Sequence, residues 1–316
     1  MQRIPFLSCA LAFTVATNSM FFAAYDSYKL NSCLTIDKQA HTLLTSENEI
    51  RLLQLTDVQF SNYKEERKAF KAIRETVEKT NPDLIIFTGD TLNKRSKTAH
   101  LNSFISYMDA FNAPWALVMG NHDYQSDASM KTQSQAYEAS KYCLFKQGDV
   151  DSSYGNYSYT ISYQDIPFFS LVFMDSMQDG FTKEHAAWYE KTTYRLKHEE
   201  QILPNFLFYH IPTVETVYAA QAYEHSELVG DGEINESPDK QTTVVGFFDK
   251  VVEMGATKAI FYGHDHLNNA FLHYRGIQLC YGLKTGKNSY YKARLQGGNL
   301  ITLHTNGEFF VERIYI

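Results

Sequence analysis

Residues 258–266, KAIFYGHDH, run a short apolar stretch into a glycine and then set His264 and His266 on either side of Asp265. A few apolar residues with aromatic and branched members, stopped by glycine, have the pattern of a buried strand. Two imidazoles spaced two apart just beyond its end can face one cleft, and imidazole is a common ligand for borderline divalent metals. The same order, an apolar run and then polar residues, recurs along the chain. IRLLQL (50–55) leads to Asp57 and Gln59, DLIIF (83–87) to Asp90, WALVM (115–119) to Asn121, His122 and Asp123, and NFLFY (205–209) to His210. FFSLVFM (168–174) is a sixth strand candidate. In an open α/β sheet, ligands bind outside the carboxyl ends of the strands, so these residues are expected to converge at one edge.

Between the strand candidates lie longer helical patterns. Phe70, Ile73 and Val77 fall at helical spacing in a charged segment closed by Asn81 and Pro82. A second pattern near 242–254 puts Val244, Val245, Phe248, Val251 and Val252 on one face, with Gly255 as its C-cap. Strands alternating with helices mean an α/β fold. After residue 275 the runs IQLCYG, NLITLH and EFFVERIYI have no helices between them, which predicts an antiparallel closing portion. With 316 residues, 44% of them hydrophobic, and no low-complexity break, one catalytic domain is expected over 26–316, its core beginning near residue 50. The stretch from Tyr124 to Asn205, rich in Tyr, Ser, Gln and Asp, is a candidate rim over the site. Its Tyr154, Tyr157 and Tyr159 read as strand packing rather than as a substrate platform.

At the N-terminus Arg3 precedes an uncharged run, residues 4–25, that contains FLSCALAFTVA. This is the form of a signal peptide or a signal anchor over residues 1–25, and it implies a secreted, periplasmic or membrane-anchored extracytoplasmic location. Contact with a membrane is expected only through such an anchor. Cys9, Cys33, Cys143 and Cys280 show neither a metal-binding spacing nor a disulfide framework. A net charge of −7 opposes attraction to nucleic acid, which needs clustered cations. Against that stands one local candidate for a basic groove, Lys284, Lys287, Lys292 and Arg294. A phosphate ester carried by a small molecule or a phosphoprotein is the better substrate.

Two carboxylates, one amide and three imidazoles at five strand ends make a mixed nitrogen and oxygen set that suits two divalent cations, with Mn, Fe, Zn, Co or Mg all admissible. Crowded carboxylates resist ionisation unless cations offset their repulsion. A water bridging two such ions would lose a proton near neutral pH and attack phosphorus in line. His122 is placed to donate a proton or a hydrogen bond to the reacting oxygen, and Asp123 to orient that imidazole from behind.

The order D-x-[H/Q], GD, GNHD, H and GHxH resembles the calcineurin-like metallophosphoesterase superfamily, from Ile50 to the end of the chain. PDLIIFTGD, PWALVMGNHD, FMDS, FYHIP, KAIFYGHDHLNNAF and GIQLCYG resemble its purple-acid-phosphatase-like branch, which includes plant and fungal Dcr2-type phosphatases. The resemblance implies a four-layer αββα sandwich of two mixed β-sheets flanked by helices, and a metal-dependent phosphatase or phosphodiesterase. It further implies that Asp57 and His266 serve a first metal, that Asp90 bridges, and that Asn121, His210 and His264 complete a second site. His122 would protonate the leaving group or stabilise the transition state, with Asp123 in support. Gln59 departs from the pattern, because many members carry a histidine ligand there. Its amide oxygen is a weak, neutral donor. The alternative is therefore a catalytically impaired phosphoester-binding or interaction module with a weakened first site.

Overall fold

The computed structural model describes residues 28–151, 153–242 and 246–316. The signal segment expected over 1–25, and Val244 and Val245 of the expected helix face, lie outside the described residues.

In chain order the elements are β1 (Thr35–Asp37), β2 (Thr42–Thr45), β3 (Glu49–Leu55), α1 (Tyr63–Thr80), β4 (Leu84–Thr88), α2 (Thr98–Asp109), β5 (Trp115–Val118), α3 (Asn121–Tyr124) and α4 (Met130–Ala139). Then come β6 (Tyr157–Tyr163), β7 (Ile166–Phe173), α5 (Lys183–Arg195), β8 (Lys197–His198), β9 (Gln201–Ile202), β10 (Asn205–Phe208), α6 (Val214–Glu224) and β11 (Gly230–Asp231). The chain closes with α7 (Phe247–Met254), β12 (Thr257–Tyr262), β13 (Phe271–Tyr274), β14 (Ile277–Tyr281), β15 (Gly297–His304) and β16 (Phe309–Tyr315).

Two mixed sheets result. The smaller runs β16-β15-β3-β4-β5, with β3, β4 and β5 parallel. The larger runs β1-β2-β6-β7-β10-β12-β14-β13-β11, with β7, β10, β12 and β14 parallel. Alternation along the strands decides what each face meets. Phe206, Phe208, Ala259 and Phe261 belong to the core between the sheets. Their neighbours Leu207, Tyr209, Ile260 and Tyr262 belong to the core under α5, α6 and α7. The Phe206 ring meets Phe309 at 4.9 Å, a contact from the larger sheet to the edge strand β16 of the smaller.

Helix α1 covers the smaller sheet for reasons visible in its sequence. Asn62 caps it by accepting hydrogen bonds from the N–H groups of Lys64 and Glu65, and Asn81 ends it in the left-handed conformation. Ala69, Phe70, Ile73 and Val77 are buried along one stripe, each large one contributing about 1.5–3 kcal/mol. The order is thus helices, small sheet, large sheet, helices, the expected four-layer sandwich. In α7, Phe248 and Val251 are buried and Gly255 caps the end with φ of 67°.

One expectation needs correction. β15 and β16 do form an antiparallel pair, but IQLCYG does not join them. It forms β14, which lies parallel to β12 in the larger sheet while β13 pairs with it on its outer side. The cause is the two-residue turn at Arg275 and Gly276, which folds β13 back on β14 and leaves β14's other edge to β12. Tyr157 and Tyr159 are buried in β6, and Tyr157 stacks on Phe173 at 4.6 Å, so these rings are packing groups. Among the described residues, no helix is long and apolar enough to cross a membrane.

Candidate metal centre

The small sheet sends Asp57, Asp90 and Asn121 out of its parallel strands, and the large sheet sends His210, His264 and His266 toward them. At these strand ends the backbone turns abruptly. Asp57, Gln59, Asp90 and His264 all have positive φ, between 48° and 74°. Non-glycine residues seldom adopt this region, and such strain gathers at functional sites. The turns are pinned to each other: the Asp57 N–H donates to Gly89 O at 3.2 Å and the Gln59 N–H to Asp90 O at 3.0 Å. Two glycines permit the close approach. A β-carbon at Gly263 would overlap Thr56 Oγ1 and the Asp57 carboxylate, and one at Gly120 would overlap the Asp90 carboxylate.

Two clusters of ligand-type atoms share Asp90. In the first, His266 Nε2 lies 3.1 Å from Asp57 Oδ1, and donor atoms of Asp57, Asp90 and His266 lie within 4.8 Å of one another. In the second, Asn121 Oδ1 is 3.1 Å from both His210 Nε2 and His264 Nδ1, which are 3.3 Å apart. His210 Nε2 is also 3.3 Å from Asp90 Oδ1. The outer ring nitrogens are fixed from behind, as working imidazoles usually are. His210 Nδ1 meets Thr88 O at 2.7 Å, His266 Nδ1 meets Tyr290 O at 3.0 Å, and His264 Nε2 meets Asp239 at 3.3 Å.

The electrostatics are set by buried acids that face buried imidazoles. Burial opposes the charge on Asp57, but His266 beside it, helped by His210 and Lys284, holds the carboxyl well below the usual range. Burial likewise opposes the charge on Asp90, and His210 reverses it, so that carboxyl is also lowered. Burial would strip His210 of its proton, yet the charges of Asp90 and Asp57 lift it to about 10. Burial and the adjacent His210 both lower His264.

A family model described as calcineurin-like phosphoesterase matches residues 50–268, from the start of the first central strand to just past both histidines. The chain belongs to that family. Among curated relatives of this phosphoesterase-family chain is "Probable inactive purple acid phosphatase 29" of Arabidopsis thaliana, 27% identical over 252 residues, covering 67% of this chain and 61% of the relative. Another is "Phosphatase DCR2" of Saccharomyces cerevisiae, 25% identical over 305 residues, covering 82% of this chain and 52% of the relative. The chain thus spans less than two thirds of either. A dimetal phosphatase from Danio rerio shares the fold at a TM-score of 0.51 and 13% identity, over 84% of this chain and 99% of that one.

Around this cluster the structure separates residues that the sequence had joined. His122 projects from the N-terminus of α3, partly exposed, with Nε2 3.9 Å from Asp90 Oδ2. The residue at its Nδ1 is Gln125, at 3.0 Å. Asp123, expected behind that imidazole, turns the other way, and this corrects the expected pairing. Its carboxylate is fully buried and accepts the backbone N–H groups of Gly120 and Leu92, each at 2.8 Å. The physical reason is the helix start, where a carboxylate at the third position folds back on the cap. Burial and the nearby Asp90 push its carboxyl up to about 7.

Gln59 is also reassigned. Its Nε2 donates to Asp90 Oδ2 at 2.9 Å and its Oε1 accepts from Lys284 Nζ at 2.8 Å. An ammonium needs an acceptor and a carboxylate needs a donor, so this amide orientation is the one that satisfies both neighbours. The Gln59 oxygen, offered above as a ligand, is therefore engaged elsewhere. Lys284 itself is buried, with a second bond to Asp57 O at 2.9 Å, and burial lowers it to about 8. Arg294 pairs with Glu233, so the basic groove expected from Lys284, Lys287, Lys292 and Arg294 is not assembled. The signal for Lys284 was present: LCYGLK repeats the strand, glycine and polar order seen at the candidate ligands. Asp239 and Tyr290, by contrast, come from irregular segments with no such pattern.

Proposed function

We propose that the chain is a metal-dependent phosphoesterase acting on phosphate esters borne by a small molecule or a phosphoprotein. The observation that carries this reading is the close approach of Asn121 Oδ1, His210 Nε2 and His264 Nδ1 beside the Asp90 carboxylate. Three neutral-capable donors and one carboxylate in contact fit a divalent cation, with Mn, Fe, Zn or Mg suited to the set. Asp57 and His266, with Asp90, offer a second position. Bound divalent cations supply Lewis acidity and an activated water near neutral pH.

The chain's own residues would do the rest. Asp90, which would hold a cation, is fixed by the His122 N–H at one oxygen, at 2.8 Å, and by the Gln59 amide at the other. His122, the partly exposed imidazole at the cleft, is placed to hydrogen-bond the ester oxygen and pass it a proton as it leaves. Metal content measured beside hydrolysis of aryl phosphate monoesters and diesters, with each cation supplied in turn, tests this reading. Turnover that depends on the cation supports it; bound metal with no turnover under any cation would leave the second reading. That reading is a phosphoester-binding module, favoured by the engaged Gln59 amide. The uncharged N-terminal run supports an extracytoplasmic site of action.

A further inference from the structure

Lys284 reaches the centre from the end of β14 and gives hydrogen bonds to two groups of the Asp57 turn, the Asp57 carbonyl at 2.9 Å and Gln59 Oε1 at 2.8 Å. Both oxygens of the Asp57 carboxylate are already engaged. Thr56 Oγ1 donates to Oδ2 at 2.8 Å, the His264 N–H reaches the same atom at 3.1 Å, and His266 Nε2 faces Oδ1. Asp90 Oδ2 is taken by the Gln59 amide. The first cluster thus has its acceptors paired with internal donors and a cationic side chain built in beside it. The second cluster differs at its other three ligand atoms, although its Asp90 Oδ1 accepts the His122 N–H at 2.8 Å. Among the described residues, no hydroxyl, amide or ammonium donor reaches Asn121 Oδ1, His210 Nε2 or His264 Nδ1; these atoms face only one another and Asp90.

We infer that Lys284 and Gln59 act as a built-in substitute at the first metal position, so that this chain holds one divalent cation tightly, at Asp90, Asn121, His210 and His264. The inference rests on the metal-dependent reading above and specifies its stoichiometry. Lys284 holds the Gln59 oxygen out of the ligand set and turns its NH2 group toward Asp90. A cation entering beside Asp57 and His266 would lose the amide as a ligand and would meet a like charge close by. The ammonium supplies positive charge to the Asp57 turn whether or not an ion is bound, where a second ion would supply it only when bound. Lys284 is in this sense a positioning residue, acting through Gln59 and the Asp57 turn.

The test is metal stoichiometry on the full chain with Mn(II) alone, by elemental analysis after gel filtration and by titration calorimetry, with electron paramagnetic resonance to detect a coupled pair of ions. The expected result is one ion per chain, with any second binding at least about 10- to 100-fold more weakly, the range that outer partners of ligands usually control. The double variant Q59H/K284M should bind two ions and give the coupled signal, because imidazole replaces amide, histidine tolerates the positive φ of 48° at that position, and the internal cation is gone. Two ions of similar affinity in the unmodified chain would overturn the inference without any variant. So would a double variant that melts cooperatively yet still binds only one. No ion at all would instead sink the metal-dependent function itself, which keeps the two failures apart.

Discussion

His122 stands over Asp90 through two different atoms: its backbone N–H donates to Asp90 Oδ1 at 2.8 Å, while its ring Nε2 lies 3.9 Å from Oδ2. The main chain of residue 122 therefore holds the shared carboxylate, and its side chain is left for the substrate. His122→Ala keeps the first role and removes the second. On the proposed function, kcat should fall by about 10²- to 10⁴-fold with bound metal unchanged. Undiminished turnover in a metal-loaded variant would take the imidazole out of the chemistry.

Asp123→Ala should behave in the opposite way. The carboxylate accepts the Gly120 and Leu92 N–H groups, so its loss strands two buried donors, at roughly 1–3 kcal/mol for each group left unpaired. Chemical denaturation should show a marked loss of stability. Activity per folded molecule should fall less than in His122→Ala, a ranking that equal losses would reverse.

Metal binding should release a proton. In the metal-free chain burial disfavours charge on His210, but Asp90 and Asp57 raise it to about 10, so at neutral pH the ring is protonated and cannot give Nε2 to a cation. Affinity should therefore climb as pH rises toward that value. Calorimetry in buffers of differing ionisation heat should find about one proton leaving per ion. A pH-independent affinity would show the ring to be neutral beforehand.

A separate pH effect belongs to His185, buried in α5. Its Nδ1 accepts the Thr182 N–H at 3.1 Å and its Nε2 faces Ser153 Oγ at 3.1 Å, so a second proton would break the cap. Burial pushes it down to about 4. Because the folded value lies below the unfolded one near 6.5, the unfolded chain takes up the proton first. Stability should thus decline as pH falls from about 6.5 to 4 and then level off, by roughly 3 kcal/mol in all. Gln at this position, compared across that range by thermal melts, should flatten the decline.

The central strands were legible in the sequence because each is an apolar run ended by a glycine or polar residue, and the ligand-type residues were legible because they follow those runs. Asp57, Asp90, Asn121, His210, His264 and His266 come together as that pattern implies. What strand patterns do not carry is the direction of a side chain after the strand has ended. Asp123 looked like a partner of His122 by adjacency, yet the start of a four-residue helix turned it into a cap. Gln59 looked like a ligand by alignment with its neighbours, but its fate depended on Lys284, more than two hundred residues away in the chain. The position of β14 was ambiguous for a similar reason, since an edge left free by a short hairpin can be claimed by either sheet.

The ligand-type residues are divided between the two sheets: Asp57, Asp90 and Asn121 leave strands of the smaller one, and His210, His264 and His266 leave strands of the larger. A cation held across that seam is a rivet between two halves of the molecule as well as a reagent. On the metal-dependent reading it would bind only where both halves are seated, so loading it would protect the fold by mass action, about 2.7 kcal/mol at a hundred times its dissociation constant. Chelation would then loosen the sandwich from this end, and metal supply would govern how long the protein survives as well as how fast it works.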